Sequence, residues 1–227
     1  SFGVEVDDKA SNAIEKKQYV VESNTVTIKA GERVAKFRMK GIYENIDKTD
    51  SLSVTFNLLA KDENVWDLYG TRTRVQKACP FELSTFEGYC LLTSSFFSAY
   101  MTNTEHRLLQ AERDKTEDNT IILHDFFYKN YDLKIKYDPS DPLKPFVEFD
   151  DQIIGSTAEA FGTIYGNGKL MCTQPVAYDS YYNVCQKFVF LYSTIYVVGK
   201  GTVGTYVNIL EWISDEEAEQ YKKEEGL

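Results

Sequence analysis

The chain has two histidines, His106 and His124. Nucleophilic catalysis needs a nucleophile, a base and a third group that orients the base. His106 precedes "RLLQ" in a charged stretch, and His124 ends an apolar run just before Asp125. Neighbours on a strand point to opposite faces, so His124 and Asp125 do not form a base–orienter pair. The ordinary reading of both histidines is surface or strand-end placement. No G-x-S-x-G, H-E-x-x-H or Walker pattern is present. Paired carboxylates are the other catalytic option, because two of them flank the bond cut in glycoside hydrolysis. Asp150 and Asp151 read as a turn, and Glu148 with Asp150 as one solvated strand face. Oxygen-rich runs at "VEVDD" (4–8) and "ENIDKTD" (44–50) suit a hard cation but lack the D-x-D-x-D-G loop. The chain is therefore expected to be no enzyme and to hold no metal or cofactor.

"AYDSYYNVC" (177–185) has the composition of a binding surface. Tyrosine offers an apolar body with a polar tip, and carboxylate or amide groups beside it bond sugar hydroxyls. The expected site is a loop carrying Tyr178, Asp179, Tyr181, Tyr182 and Asn183. The competing reading packs these rings as a lid over the domain. "NVWDLYG" (64–70) is a second aromatic cluster, with Trp66 expected at a seam between domains.

All four cysteines, Cys79, Cys90, Cys172 and Cys185, fall in residues 79–185, and none makes a C-x-x-C pair. That pattern favours two disulfides and an oxidising compartment over four buried thiols. In a closed antiparallel meander the first and last strands meet. This favours Cys79–Cys185 with Cys90–Cys172.

The elements that would position these groups are mostly strands. Tyr (16) and Phe (14) are abundant and Pro (5) is scarce among 227 residues. "SLSVTFNLLA" (51–60) alternates with period two, the mark of a half-buried strand. From "FEGYCLLTSSFFSAY" (86–100), read as one long strand, to "GTYVNILEW" (204–212), about eight strands follow with short connections. "EHRLLQAERD" (105–114) has helix propensity among strand neighbours, and "YGNGK" is a hairpin turn signal. Ser214 with Glu217 forms a capping box for a short exposed helix. Cysteine usage, proline content and charge all shift at Cys79–Pro80. The expected organisation is all-β: a β-sandwich over 1–78, a disulfide-containing antiparallel barrel or sandwich over 79–213, in which "FEGY" (86–89) resembles the opening strand of lipocalin-like barrels, and a helical tail over 214–227.

"NTVTIKAGERVAKFRMKGI" (24–42) with "DSLSVTFNLLA" (50–60) resembles the Calx-β or immunoglobulin-like repeats of Bacteroidetes surface lipoproteins. "CPFELSTFEGYC" (79–90), "DNTIILHDFFYKNYDLKIKYD" (118–138) and "VEFDDQIIGS" (147–156) resemble a C-terminal domain of unknown function in such proteins. The resemblance carries no catalytic residue. It implies a lipid-anchored protein on the outer membrane, facing the periplasm or the outside, beside a glycan-uptake system. The membrane is then met only through a lipid anchor. The net charge of −10 lacks the electrostatic footprint of a nucleic-acid binder. Three readings follow: a glycan-binding surface lipoprotein, a structural or adhesive module without a small ligand, and, weakest, a carboxylate-based glycoside hydrolase.

Overall fold

The structure is a computed structural model that describes residues 1–48, 50–59, 70–101, 103–142 and 144–226. The cluster around Trp66 lies outside the described residues. The chain divides into two compact units, Ser1–Ala78 and Cys79–Leu227.

In the first unit, β1 (Phe2–Val6), β3 (Thr25–Val26), β5 (Leu52–Leu59) and β6 (Gly70–Val75) form a sheet in the order β3-β1-β5-β6. A ribbon of β2 (Tyr19–Val21) and β4 (Met39–Gly41) completes the unit. The two layers meet at one small core of Tyr19, Ile46, Val54, Phe56 and Val75, against which Phe37 and Met39 pack. The alternation in 51–60 places Val54 and Phe56 inward as expected, while Leu58 and Leu59 end the strand exposed. The oxygen-rich runs act locally: Asp7 Oδ1 accepts from the backbone N–H of Lys9 and Ala10, and Asp50 Oδ2 from that of Asp47.

The second unit is an eight-stranded antiparallel barrel. Its wall runs β7 (Gly88–Ser94), β8 (His106–Arg113), β9 (Thr120–Leu123), β10 (Leu133–Asp138), β11 (Phe146–Glu148), β14 (Ser180–Asn183), β15 (Phe188–Val197) and β16 (Gly201–Trp212), which pairs back to β7. The long β15–β16 hairpin closes the wall. Along β15 the residues Val189, Leu191, Ser193, Ile195 and Val197 face in, and Phe188, Phe190, Tyr192, Thr194 and Tyr196 face out. A second hairpin, β12 (Gln152–Ser156) and β13 (Lys169–Thr173), pairs with the far half of β15. Its link to β10 is a side chain: Gln152 Nε2 donates to Lys134 O and Gln152 Oε1 accepts from Lys134 N, both at 2.8 Å. The amide imitates a ladder residue where β11 no longer reaches.

Three short or terminal helices follow strands, each capped by a serine at its start. β7 gives way at Ser94, whose Oγ accepts from Phe96 N, and the expected long strand becomes α1 (Ser95–Tyr100). At the end of β12, Ser156 and Glu159 form a capping box for α2 (Thr157–Phe161), which stops at Gly162 in the left-handed region. Ser214 and Glu217 cap α3 (Asp215–Glu225) as expected. The ambiguous stretch 105–114 is strand β8, because its neighbours β7 and β9 supply partners on both edges.

The barrel interior is filled with rings. Phe96, Phe97, Phe126, Phe127, Tyr100, Phe161 and Tyr206 form one cluster. Phe81, Phe86, Tyr137, Tyr182 and Trp212 form another. One polar network sits among them: Ser94 Oγ donates to Asn208 Oδ1 at 2.7 Å, and Asn208 Nδ2 donates to Leu191 O and Ser193 Oγ. It ties β7, β15 and β16 in one register, since a slip would leave these buried groups unpaired.

Cys79 and Cys185 form a disulfide with Cα atoms 5.3 Å apart. The second expected pair is not made: Cys90 and Cys172 are separate buried thiols. Cys90 lies on β7 and Cys172 on β13, with β16 and β15 between them in the sheet. Three strand spacings amount to roughly 14 Å along the wall, beyond the roughly 7 Å that a disulfide spans. Four cysteines in one barrel do not imply two bridges when two of them point inward from distant strands.

Candidate functional site

The tyrosine cluster is not a loop. Ser180–Asn183 is β14, a wall strand paired with β11 on one edge and β15 on the other. Strand alternation divides its residues. Tyr182 points inward and is buried at 4% exposure, with its hydroxyl donating to Asp138 O. Tyr181 points outward at 39% exposure, and Tyr178, just before the strand, is 53% exposed. Asn183 Oδ1 accepts from Gln186 N and so holds the turn into β15. Asp179 is exposed. Of the five expected site residues, the structure therefore presents Tyr178, Asp179 and Tyr181 to solvent. Tyr182 belongs to the core, and Asn183 to a turn.

Outward residues of β15 extend the surface. Tyr181 stacks on Phe190 at 5.4 Å between centroids and meets Phe188 edge-on at 6.1 Å. Tyr178 stacks on Tyr192 at 5.0 Å, and Tyr192 meets Phe190 at 5.2 Å. The register continues the row across four strands, from Phe146 through Tyr181 and Phe190 to Ile209. The result is a strip of five contiguous rings on the convex side of the barrel. Phe188, Phe190 and Tyr192 are the even positions of β15 and were not among the expected site residues. Both faces of that strand are apolar, so composition alone does not show which face meets solvent.

Two grooves hold the other candidate groups. The larger, of about 920 Å³, is lined by His106, Arg107, His124, Asp125, Tyr221 and Lys222, among others. His124 Nδ1 lies 3.0 Å from Asp132 Oδ2, so its orienting partner is Asp132 and not the adjacent Asp125. Its Nε2 lies 3.5 Å from Glu112 Oε2. Both ring nitrogens are thus occupied by carboxylates on opposite sides, which leaves no nitrogen aimed at a nucleophile and no point where all three would share a cation. His106 Nδ1 bonds Thr93 Oγ1 at 2.8 Å. Among the described residues no group of three or more His, Cys, Asp or Glu is placed to hold a metal.

The smaller groove, of about 550 Å³, is lined by Glu148 and Asp150 with Lys134, Lys136, Gln152 and Gln174, among others. Lys134 is committed to an ion pair with the buried carboxylate of Asp114 at 2.5 Å and with Glu117 at 3.4 Å. Asp114 also accepts from Thr116 N, Thr116 Oγ1 and Glu117 N. These bonds hold its carboxyl well below the usual carboxylate range, with the Lys134 bond the largest cause. The group serves the β8–β9 connection rather than acid–base chemistry. Burial pushes the Cys172 thiol up to about 12 and the Cys90 thiol higher still, so neither is a nucleophile.

Residues 68–224 match the family model described as a domain of unknown function (DUF4984), and the chain belongs to that family. No curated protein and no solved structure matches the chain.

Proposed function

We propose that this member of the DUF4984 family is a non-catalytic binding protein that holds glycans on the aromatic strip of β14 and β15. The observation that carries the reading is the run of five outward rings, Tyr178, Tyr192, Phe190, Tyr181 and Phe188, at centroid spacings of 5.0 to 6.1 Å. Stacking turns one face of Tyr181 onto Phe190 and one of Tyr178 onto Tyr192, so the run meets sugar rings with the faces and edges that remain. Asp179 and Thr194 supply hydrogen-bonding groups at its border. The second unit carries 12 Lys/Arg against 23 Asp/Glu. That charge repels uronate or sulfate groups, so neutral glycans are the ligand class. An open convex strip gives weak capture, on the order of millimolar to micromolar.

The proposal extends to place. A disulfide at Cys79–Cys185 supports an oxidising compartment. The resemblance to surface lipoproteins supports a lipid-anchored accessory of a polysaccharide-uptake system on the outer membrane. The test is a glycan array with the wild type, Tyr181→Ala and Phe190→Ala. Binding to neutral glycans that both changes abolish, with the folded state retained, is the expected result. Absence of wild-type binding would leave a structural or adhesive module as the reading.

A further inference from the structure

The chain is acidic as a whole, yet residues 29–40 of the first unit carry five Lys/Arg and one Glu. Lys29, Arg33, Lys36, Arg38 and Lys40 are all exposed. Among the described residues none of the five is paired with a carboxylate. The backbone explains how they line up. From Val34 to Lys40 exposure alternates at every residue, with Ala35, Phe37 and Met39 turned toward the unit. Phe37 and Met39 pack on the core, so Lys36, Arg38 and Lys40 must share the opposite face. Their spacing along the extended chain is about 6.6 Å.

A turn leads into this row. Glu32 N donates to Lys29 O, and Gly31 sits at φ +87° with nothing packed where a Cβ would point. Every residue from Thr27 to Val34 is exposed. The turn carries two bare aliphatic side chains, Ile28 at 42% and Val34 at 70% exposure. Cations alone would serve any polyanion. Exposed aliphatics on the same segment are useful only where an apolar phase lies behind the negative charge.

We propose that residues 28–40 dock on an anionic lipid surface: Lys36, Arg38 and Lys40 meet the phosphate headgroups, and Ile28 and Val34 enter the headgroup–acyl boundary. The chemistry is that of a basic segment with apolar anchors at a bilayer interface. The inference is independent of the aromatic strip, which belongs to the other unit. It adds a direct membrane contact to a chain expected to meet the membrane only through an anchor.

The test is vesicle flotation of the full chain with phosphatidylcholine alone and with phosphatidylcholine mixed with phosphatidylglycerol. Retention on the mixed vesicles only, falling as salt rises, is expected. Each removed cation should weaken binding about fivefold, so Lys36→Gln/Arg38→Gln/Lys40→Gln should lose on the order of a hundredfold. Val34→Ser should weaken it without altering any charge, and soluble glycerol phosphate should fail to displace the protein. Equal retention on neutral vesicles, or binding insensitive to salt, would overturn the proposal. So would an unaffected triple variant that still melts like the wild type. If that variant does not fold, the salt titration of the wild type decides. Binding that Val34→Ser leaves unchanged and that heparin fully displaces would make the face a general polyanion site and defeat the lipid reading.

Discussion

Single side chains of the second unit hold the barrel by different means: a covalent bond, deep burial and an ion pair. Cys79 and Cys185 are 106 residues apart, so their bond closes most of the barrel's sequence into one loop. In the chain-entropy account a loop of that length restricts the unfolded state by about 4–5 kcal/mol. The Cys79→Ser/Cys185→Ser variant is therefore expected to unfold at markedly lower urea, on that scale. Cys90 and Cys172 should stay silent to a thiol reagent in the native protein and appear as two thiols after denaturation. Four thiols after denaturation without reductant would contradict the bond. The same burial has a pH consequence. An unfolded thiol ionises near pH 8.5, whereas Cys172 in the fold keeps its proton to about 12. The unfolded state then binds fewer protons than the native one, and stability falls as pH rises above about 8.5. Asp114 acts in the opposite direction. Its depressed carboxyl contributes stability above the ordinary carboxylate value near 4, and this is lost as pH falls through the folded value. Urea unfolding between neutral and strongly acidic pH should show a shallower acid loss in Asp114→Asn than in the wild type. Equal slopes would mean that the Lys134 pair does not tune stability.

Among the elements, β14 carries the sharpest contrast, because Tyr181 and Tyr182 are adjacent and do opposite things. Tyr182→Ala should cost about 3–5 kcal/mol, as large ring removals from cores do. Tyr181→Ala loses one stacked partner and should cost about 1 kcal/mol while removing glycan binding. Urea midpoints of the two variants check this, and equal costs would contradict the alternation. Gly155, in the irregular part of β12, makes a second element-level case. A Cβ there would lie 2.5 Å from Tyr128 Cδ2, in a ring that is itself packed on the core. Gly155→Ala should cost about 1–3 kcal/mol by overpacking. The period-two runs were legible in the sequence, and so were the Ser214–Glu217 cap and the antiparallel strand series, though not whether it closes as a barrel or folds as a sandwich. Residues 180–183 were not, because four residues rich in tyrosine and bounded by Asp179 and Asn183 look like a loop until β11 and β15 supply partners. α1 was hidden by "SFFSAY", whose rings favour strands; it turns helical because Ser94 caps it and Phe96 and Phe97 find the barrel interior. The aromatic strip was half legible. Tyr178 and Tyr181 drew notice through their polar neighbours, whereas Phe188, Phe190 and Tyr192 stand in a strand with two apolar faces.

At the scale of the whole molecule, the family match and the contact boundary do not begin at the same residue. The matched segment opens at residue 68, whereas the second compact unit opens at Cys79. Between them lies β6 (Gly70–Val75), which pairs with β5 over six residue pairs and gives Val75 to the first unit's core. Each core is drawn from one unit alone: the larger from residues between Phe86 and Trp212, the smaller from residues between Ala13 and Val75. The disulfide also lies wholly within the second unit. These facts predict that 79–227, produced under oxidising conditions, folds cooperatively without the first 78 residues. They also predict that 68–227 is no more stable, because β6 deprived of β5 leaves a strand with exposed edges, and such edges pair with other chains. Urea unfolding and size-exclusion chromatography of both fragments decide it. A fragment 79–227 that fails to fold while 68–227 is monomeric and cooperative would show that β6 belongs to the barrel's folding unit, and that the contact boundary misplaces where the second domain begins.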